Sequence, residues 1–235
     1  MLFTKQAAQD NIRNREGRRV FYLGKGDQLT SDARDYLTRE RIEILPATQA
    51  RPDRYRLLGG GYMEEKPERM THLNGEFLVE KTHPRIAFRG AVVVLEAELL
   101  LCAANASGEI RKQLEEALLC TRTLLRNEVL DEPVVEQTLG GMDEKTLRER
   151  SHRPQEFYGV PHFMPSATDS ALLLQVNRAR CLARNAELKA VAAFPTGRDD
   201  LLRAFNRLSS FLYLIMIPLK SLPPGGRWTG ECRDG

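Results

Sequence analysis

The chain has 235 residues, 29% of them charged, and a formal net charge of +3, so no strong field selects for nucleic acid or an anionic membrane. Aromatics make up 7% and are not interleaved with basic runs, which also counts against a nucleic-acid platform. The four cysteines, Cys102, Cys120, Cys181 and Cys232, lie far apart without CxxC spacing, and neither a secretory leader nor a bilayer-spanning run is visible; a soluble protein of a reducing, intracellular compartment is expected.

In chain order, residues 1–19 read as a polar leader and residues 20–23 as a strand turned by Gly24, Gly26 and Asp27. Thr30-Ser31-Asp32-Ala33-Arg34 opens a helix to about Arg41, and residues 42–45 return as a strand. Residues 1–50 are thus expected to form a small α/β module, and residues 51–70, with Pro52, Pro67 and the run Gly59-Gly60-Gly61, a Gly/Pro linker. The glycine triplet lacks the Lys-Ser/Thr and following helix of a phosphate loop. Residues 77–79 are a short extended piece, and Pro84 suits the first turn of a helix. Residues 86–104 are almost wholly apolar, their charges being Arg89, Glu96 and Glu98, as expected of a helix buried on most sides in a bundle or oligomer core.

Residues 107–130 predict an amphipathic helix that turns Ile110, Leu114, Ala117, Leu118, Cys120 and Leu124 to a core. Asp143 caps a short helix, and Ser166 with Asp169 makes a capping box for a long one ending near Phe194. Thr196 with Asp199 makes another, for a helix that carries Asn206 and ends before Pro218. The expected fold is mainly α: a five-helix bundle over residues 71–218, preceded by a small strand–helix–strand module and followed by a flexible tail over 219–235.

The strongest chemical signal lies on the long helix. Arg180, Arg184 and Glu187 fall at i, i+4 and i+7 and share one face. Two arginines one turn apart form a donor array suited to phosphate, with a carboxylate able to orient one of them. A solvated ion-pair ladder would use the same spacing.

The runs Thr71-His72-Leu73, Lys81-Thr82-His83-Pro84-Arg85-Ile86 and Phe88-Arg89-Gly90 carry a resemblance. Ser151-His152-Arg153-Pro154, the stretch from Arg180 to Glu187, Asn206-Arg207-Leu208-Ser209 and the early Leu29-Thr30-Ser31-Asp32-Ala33-Arg34 agree with it. Together they resemble the corrinoid (cobalamin) adenosyltransferases of the ethanolamine-utilisation type, related to the propanediol-utilisation-type ATP:cob(I)alamin adenosyltransferases. The resemblance covers about residues 20–216.

It implies a cytoplasmic five-helix trimer with active sites between subunits, and it allows association with a bacterial microcompartment. The implied reaction moves the 5′-deoxyadenosyl group of ATP to Co(I) of cobalamin, with Mg²⁺, a flavoprotein reductant and an adenosylcobalamin-dependent ammonia-lyase as client. By the same resemblance Arg180, Arg184 and Glu187 would serve the triphosphate and Mg²⁺, while Lys81, Thr82, Arg89 and Asn206 would hold ATP. Residues 157–165 would wedge against the lower corrinoid face, with His162 or Phe163 nearest cobalt. The chain departs from the pattern at Val93 and Ser210, where acids are expected, at Asn185, and in residues 46–70, which hold no cysteine or histidine for a thiolate metal site. The alternatives are an enzyme that needs no such metal and a corrinoid-binding or trafficking protein without turnover.

Overall fold

The computed structural model describes residues 1–15, 17–50, 55–136 and 138–220. The chain divides into two units, Met1–His83 and Pro84–Gly235.

The first unit contains β1 (Leu2–Phe3), α1 (Lys5–Asp10), β2 (Arg13–Arg15), β3 (Arg18–Leu23), β4 (Gln28–Leu29), α2 (Ser31–Arg39), β5 (Glu43–Pro46), β6 (Tyr55–Leu57), β7 (Tyr62–Met63), β8 (Met70–His72) and β9 (Phe77–Glu80). The expected strand–helix–strand piece is β3, α2 and β5, with β3 and β5 parallel and Val20 opposite Glu43. Thr30 caps α2 by accepting from the Ala33 N–H. Phe21, Ala33 and Leu37 are fully buried and give this piece its core.

The sheet is larger than the expected module. Its seven strands run β5-β3-β2-β7-β6-β9-β8, and β6 and β7 come from the stretch expected as a linker. Strands of two or three residues are too short for alternation to show in sequence. The glycine triplet is the turn of the β6–β7 hairpin. Gly61 has φ +85°, and a Cβ there would lie 2.8 Å from the Ile12 carbonyl oxygen, so only glycine lets the two backbones pass. Residues 51–54 of the expected linker lie outside the described residues.

The second unit contains α3 (Pro84–Ala104), α4 (Gly108–Val129), α5 (Glu144–His152), α6 (Pro154–Tyr158), α7 (Ala171–Ala193) and α8 (Asp199–Lys220). Five of these form the expected bundle, and α6 adds one short turn of helix. All six residues predicted for the buried face of α4 are buried, as are Phe88, Val92, Leu95 and Leu99 of α3. The other side of α3 is apolar yet exposed: among the described residues Val93, Val94, Leu100 and Leu101 are 53%, 53%, 45% and 51% exposed.

Helix ends differ from expectation in three places. Ser170, not Ser166, caps α7, accepting from the Leu173 N–H. Ser166 and Asp169 form a turn ahead of it, in which Asp169 accepts from the Ser166 N–H at 2.7 Å and from Lys220 Nζ at 2.7 Å. The second box does not start α8 at Thr196, because Gly197 takes φ +88° and the helix begins at Asp199. That helix also runs through Pro218 to Lys220, since a missing N–H is tolerated close to an end where one bond is lost. The remainder of the expected tail, residues 221–235 with Cys232, lies outside the described residues.

Candidate functional site

A pocket of about 420 Å³ opens between α5, the segment after α6, α7 and α8. Arg180 and Arg184 supply one wall, and Ser151, His152, Ser209 and Ser210 add polar groups. Phe163, Met164, Pro165 and Met216 make an apolar side. Arg180 is half-buried and directs Nε and Nη2 to Asn177 Oδ1 at 3.2 and 3.1 Å. Arg184 is exposed and forms no ion pair among the described residues. Two cations one helical turn apart, without a carboxylate in the pocket lining among the described residues, make a site that favours an anion.

The segment between α6 and α7 is fastened at several points. Gly159, with φ +66°, ends α6 in the left-handed conformation that glycine tolerates. His162 Nε2 lies 3.1 Å from the His152 carbonyl oxygen, and its Nδ1 lies 3.2 Å from the Tyr213 hydroxyl. The Tyr213 ring stacks on His162, with centroids 5.6 Å apart at 25°, and packs against Phe163 at the same separation, tilted 31°. Lys220 stands 5.3 Å over the Phe163 ring while it pairs with Asp169. Burial pushes the Tyr213 hydroxyl pKa up, opposed by the Phe163 backbone N–H and the charge of Arg180. Hydrogen bonding from Lys220 holds the Asp169 carboxyl below the usual range. Of residues 157–165, expected as the wedge, Phe157 and Tyr158 belong to α6, and Arg150 lies 5.7 Å over the Phe157 ring.

The other candidate residues are distributed as follows. Asn206 Nδ2 donates to Glu187 Oε1 at 3.1 Å, joining α7 to α8. Glu187, expected to orient an arginine or to serve Mg²⁺, accepts here from an amide presented by the helix packed against it. Arg89, expected at ATP, lies with Arg85 on the wholly buried Glu128, Arg89 at 2.5 Å and Arg85 at 2.6 Å, so the two clamp the bundle. Arg85 also donates to the Glu128 carbonyl oxygen at 2.9 Å. Lys81 and Thr82 belong to the first unit, where Lys81 Nζ pairs with Glu68 at 2.8 Å and holds that carboxyl pKa down. The sequence reading missed Tyr213, and it named Ser209 and Ser210 only within the family pattern, not as pocket residues. With Asn206 they fall at i, i+3, i+4 and i+7 of α8, and that polar interruption of an apolar run was the available signal.

The second unit is a helical bundle whose pocket has a cationic wall at one side and an apolar one at the other. Residues 61–219 match the family model of cobalamin adenosyltransferase, and the chain belongs to that family. It is 33% identical over 168 residues to the corrinoid adenosyltransferase EutT of Salmonella typhimurium and, equally, of Escherichia coli K12. These matches cover 65% of this chain and 59% of each relative's length. Among solved structures, a variant PduO-type ATP:corrinoid adenosyltransferase from Lactobacillus reuteri complexed with cobalamin and ATP has the same fold. The TM-score is 0.52 at 18% identity, over 65% of this chain and 85% of that one. A second variant of that protein gives a TM-score of 0.50 over 87% of its chain.

Proposed function

We propose that this protein transfers the 5′-deoxyadenosyl group of ATP to the cobalt of reduced cobalamin. Co(I) donates its electron pair to C5′, the C5′–O bond breaks, and triphosphate leaves. The observation that carries the reading is the pair Arg180 and Arg184 on one wall of a pocket whose other side is apolar, within a chain of the cobalamin adenosyltransferase family. Cobalt(I) is itself the nucleophile, so the protein needs no base. Its task is to align the reactants and to neutralise charge on the departing triphosphate. Arg180 and Arg184 hold the phosphates, with Asn206 as a further ATP contact. Mg²⁺ suits one carboxylate plus substrate phosphates, and Glu187, next to this wall on α7, is the fitting donor. The segment from Gly159 to Pro165 meets the lower corrinoid face.

The apolar side of α3 supports a homo-oligomer, a trimer by resemblance, since exposed Val93, Val94, Leu100 and Leu101 gain by leaving water. A flavoprotein electron donor, a cobalamin-dependent ammonia-lyase as client and a cytoplasmic or microcompartment setting complete the proposal. Corrinoid binding without turnover is the second reading, favoured by Val93 and Ser210 at positions where the family pattern has acids.

An anaerobic assay with MgATP and chemically reduced cobalamin tests the proposal. Loss of the Co(I) spectrum with formation of adenosylcobalamin is the expected result. A Co(II) spectral shift without product supports the binding protein instead, and no signal of either kind removes both readings.

A further inference from the structure

Both ring nitrogens of His162 are occupied. A carbonyl oxygen only accepts, so the nitrogen beside the His152 carbonyl, Nε2, carries the proton and donates. Nδ1 then holds the lone pair and accepts from the Tyr213 hydroxyl. That lone pair is the one through which a neutral imidazole would ligate a metal, and the hydroxyl covers it. The same tyrosine ring packs against both His162 and Phe163, so its position sets the relation of the two side chains. All three line the pocket that holds Arg180 and Arg184.

We infer that Tyr213 is a positioning residue that keeps His162 off cobalt, so that Phe163 rather than His162 meets the lower face of the corrinoid. The inference rests on the adenosyltransferase reading. Cobalt(II) must gain one electron from the reduced flavin donor before it can attack C5′. An imidazole bound from below raises electron density along the axis that this electron enters, which opposes the reduction. A phenyl ring offers no lone pair and leaves that axis empty. Tyr213→Phe keeps the stacked ring and removes only the hydroxyl, releasing the His162 lone pair.

The probe is cob(II)inamide, which lacks the nucleotide base of cobalamin, so any axial nitrogen must come from the protein. Electron paramagnetic resonance is recorded with MgATP on the full chain, on Tyr213→Phe, on His162→Ala and on the double variant. The wild type is expected to show no nitrogen splitting; Tyr213→Phe is expected to show a three-line splitting that the double variant abolishes. With Co(II) as starting material, kcat of Tyr213→Phe falls about fivefold, equivalent to one neutral hydrogen bond of about 1 kcal/mol, while the KM for ATP is unchanged. When the corrinoid is supplied as Co(I), that deficit disappears, which a general loss of structure would not produce. Nitrogen splitting in the wild type, or none in Tyr213→Phe, overturns the inference while leaving the adenosyltransferase reading intact. A cob(II)inamide spectrum unaltered by wild-type protein and MgATP overturns both.

Discussion

Glu128→Gln is the most discriminating single change in the bundle. The carboxylate is wholly buried and accepts from Arg85 and Arg89, whose side chains are 21% and 16% exposed. Glutamine fills the same volume, so no cavity contributes, but two guanidiniums then face a neutral amide that is itself partly a donor. Removing one partner of a buried charge cluster costs about 3–5 kcal/mol; the residual water contact of both arginines puts this case near about 3 kcal/mol. With a urea slope of about 2 kcal/mol per M, the midpoint falls by about 1.5 M. Circular dichroism at 222 nm follows the transition, because the second unit is mostly helix. Arg89→Ala should cost a comparable amount, and combining the two should cost less than their sum by more than about 1 kcal/mol, as members of one cluster do. In the folded fraction of either variant, the KM for ATP should match the wild type. A loss below about 1 kcal/mol for Glu128→Gln would refute the clamp. So would an Arg89→Ala protein of unchanged stability with a tenfold higher KM for ATP.

Arg184→Ala should lower kcat/KM by about 10²–10³, the scale of one lost charge-stabilising donor, while its melting curve stays within about 0.5 kcal/mol because the side chain is exposed. Arg180→Ala should show the same activity loss with some added destabilisation, as its guanidinium is half-buried on Asn177; unchanged turnover in both would remove the phosphate assignment. Burial pushes the thiols of Cys102 and Cys120 up to about 12, so native alkylation followed by peptide mapping should leave both unmodified at pH 8 and label exposed Cys181. Asp169 has a folded pKa below its ordinary 3.8, so its contribution is complete above that value and is lost as pH falls through the folded pKa. The melting-temperature gap between wild type and Asp169→Asn should therefore be full at pH 6 and shrink below about pH 4; a gap constant with pH would exclude the ionic contact with Lys220.

The bundle was legible because long helices repeat their apolar period many times: α4 spans 22 residues, and each buried position predicted for it is buried. The first unit was legible at β3, α2 and β5, where strand and cap signals are adjacent, and at β9, read as a short extended piece. Its other strands are set by long-range pairing, such as Arg13 with Tyr62, which no local pattern encodes. Within the site, helical spacing placed Arg180 and Arg184 together, but spacing along one helix says nothing about the facing helix. Hence the Glu187 contact with Asn206 and the cover of Tyr213 on His162 emerged only from packing of α7 on α8 and of the preceding segment on α8. Arg89 went to Glu128 for the same reason, its partner lying 39 residues further along the chain.

The segment between α6 and α7 is tied at His162, at Phe163 and, through Asp169, to Lys220 at the far end of α8. Ordering a backbone residue costs about 1–2 kcal/mol, and here that cost falls on folding rather than on ligand capture. An occupant of the pocket thus meets a surface already in shape, and its affinity is not reduced by the entropy of closing a loop. The corresponding penalty is rigidity: a ligand bulkier than this preformed edge cannot be accommodated by bending the segment, so the scaffold itself becomes a filter for what the pocket admits.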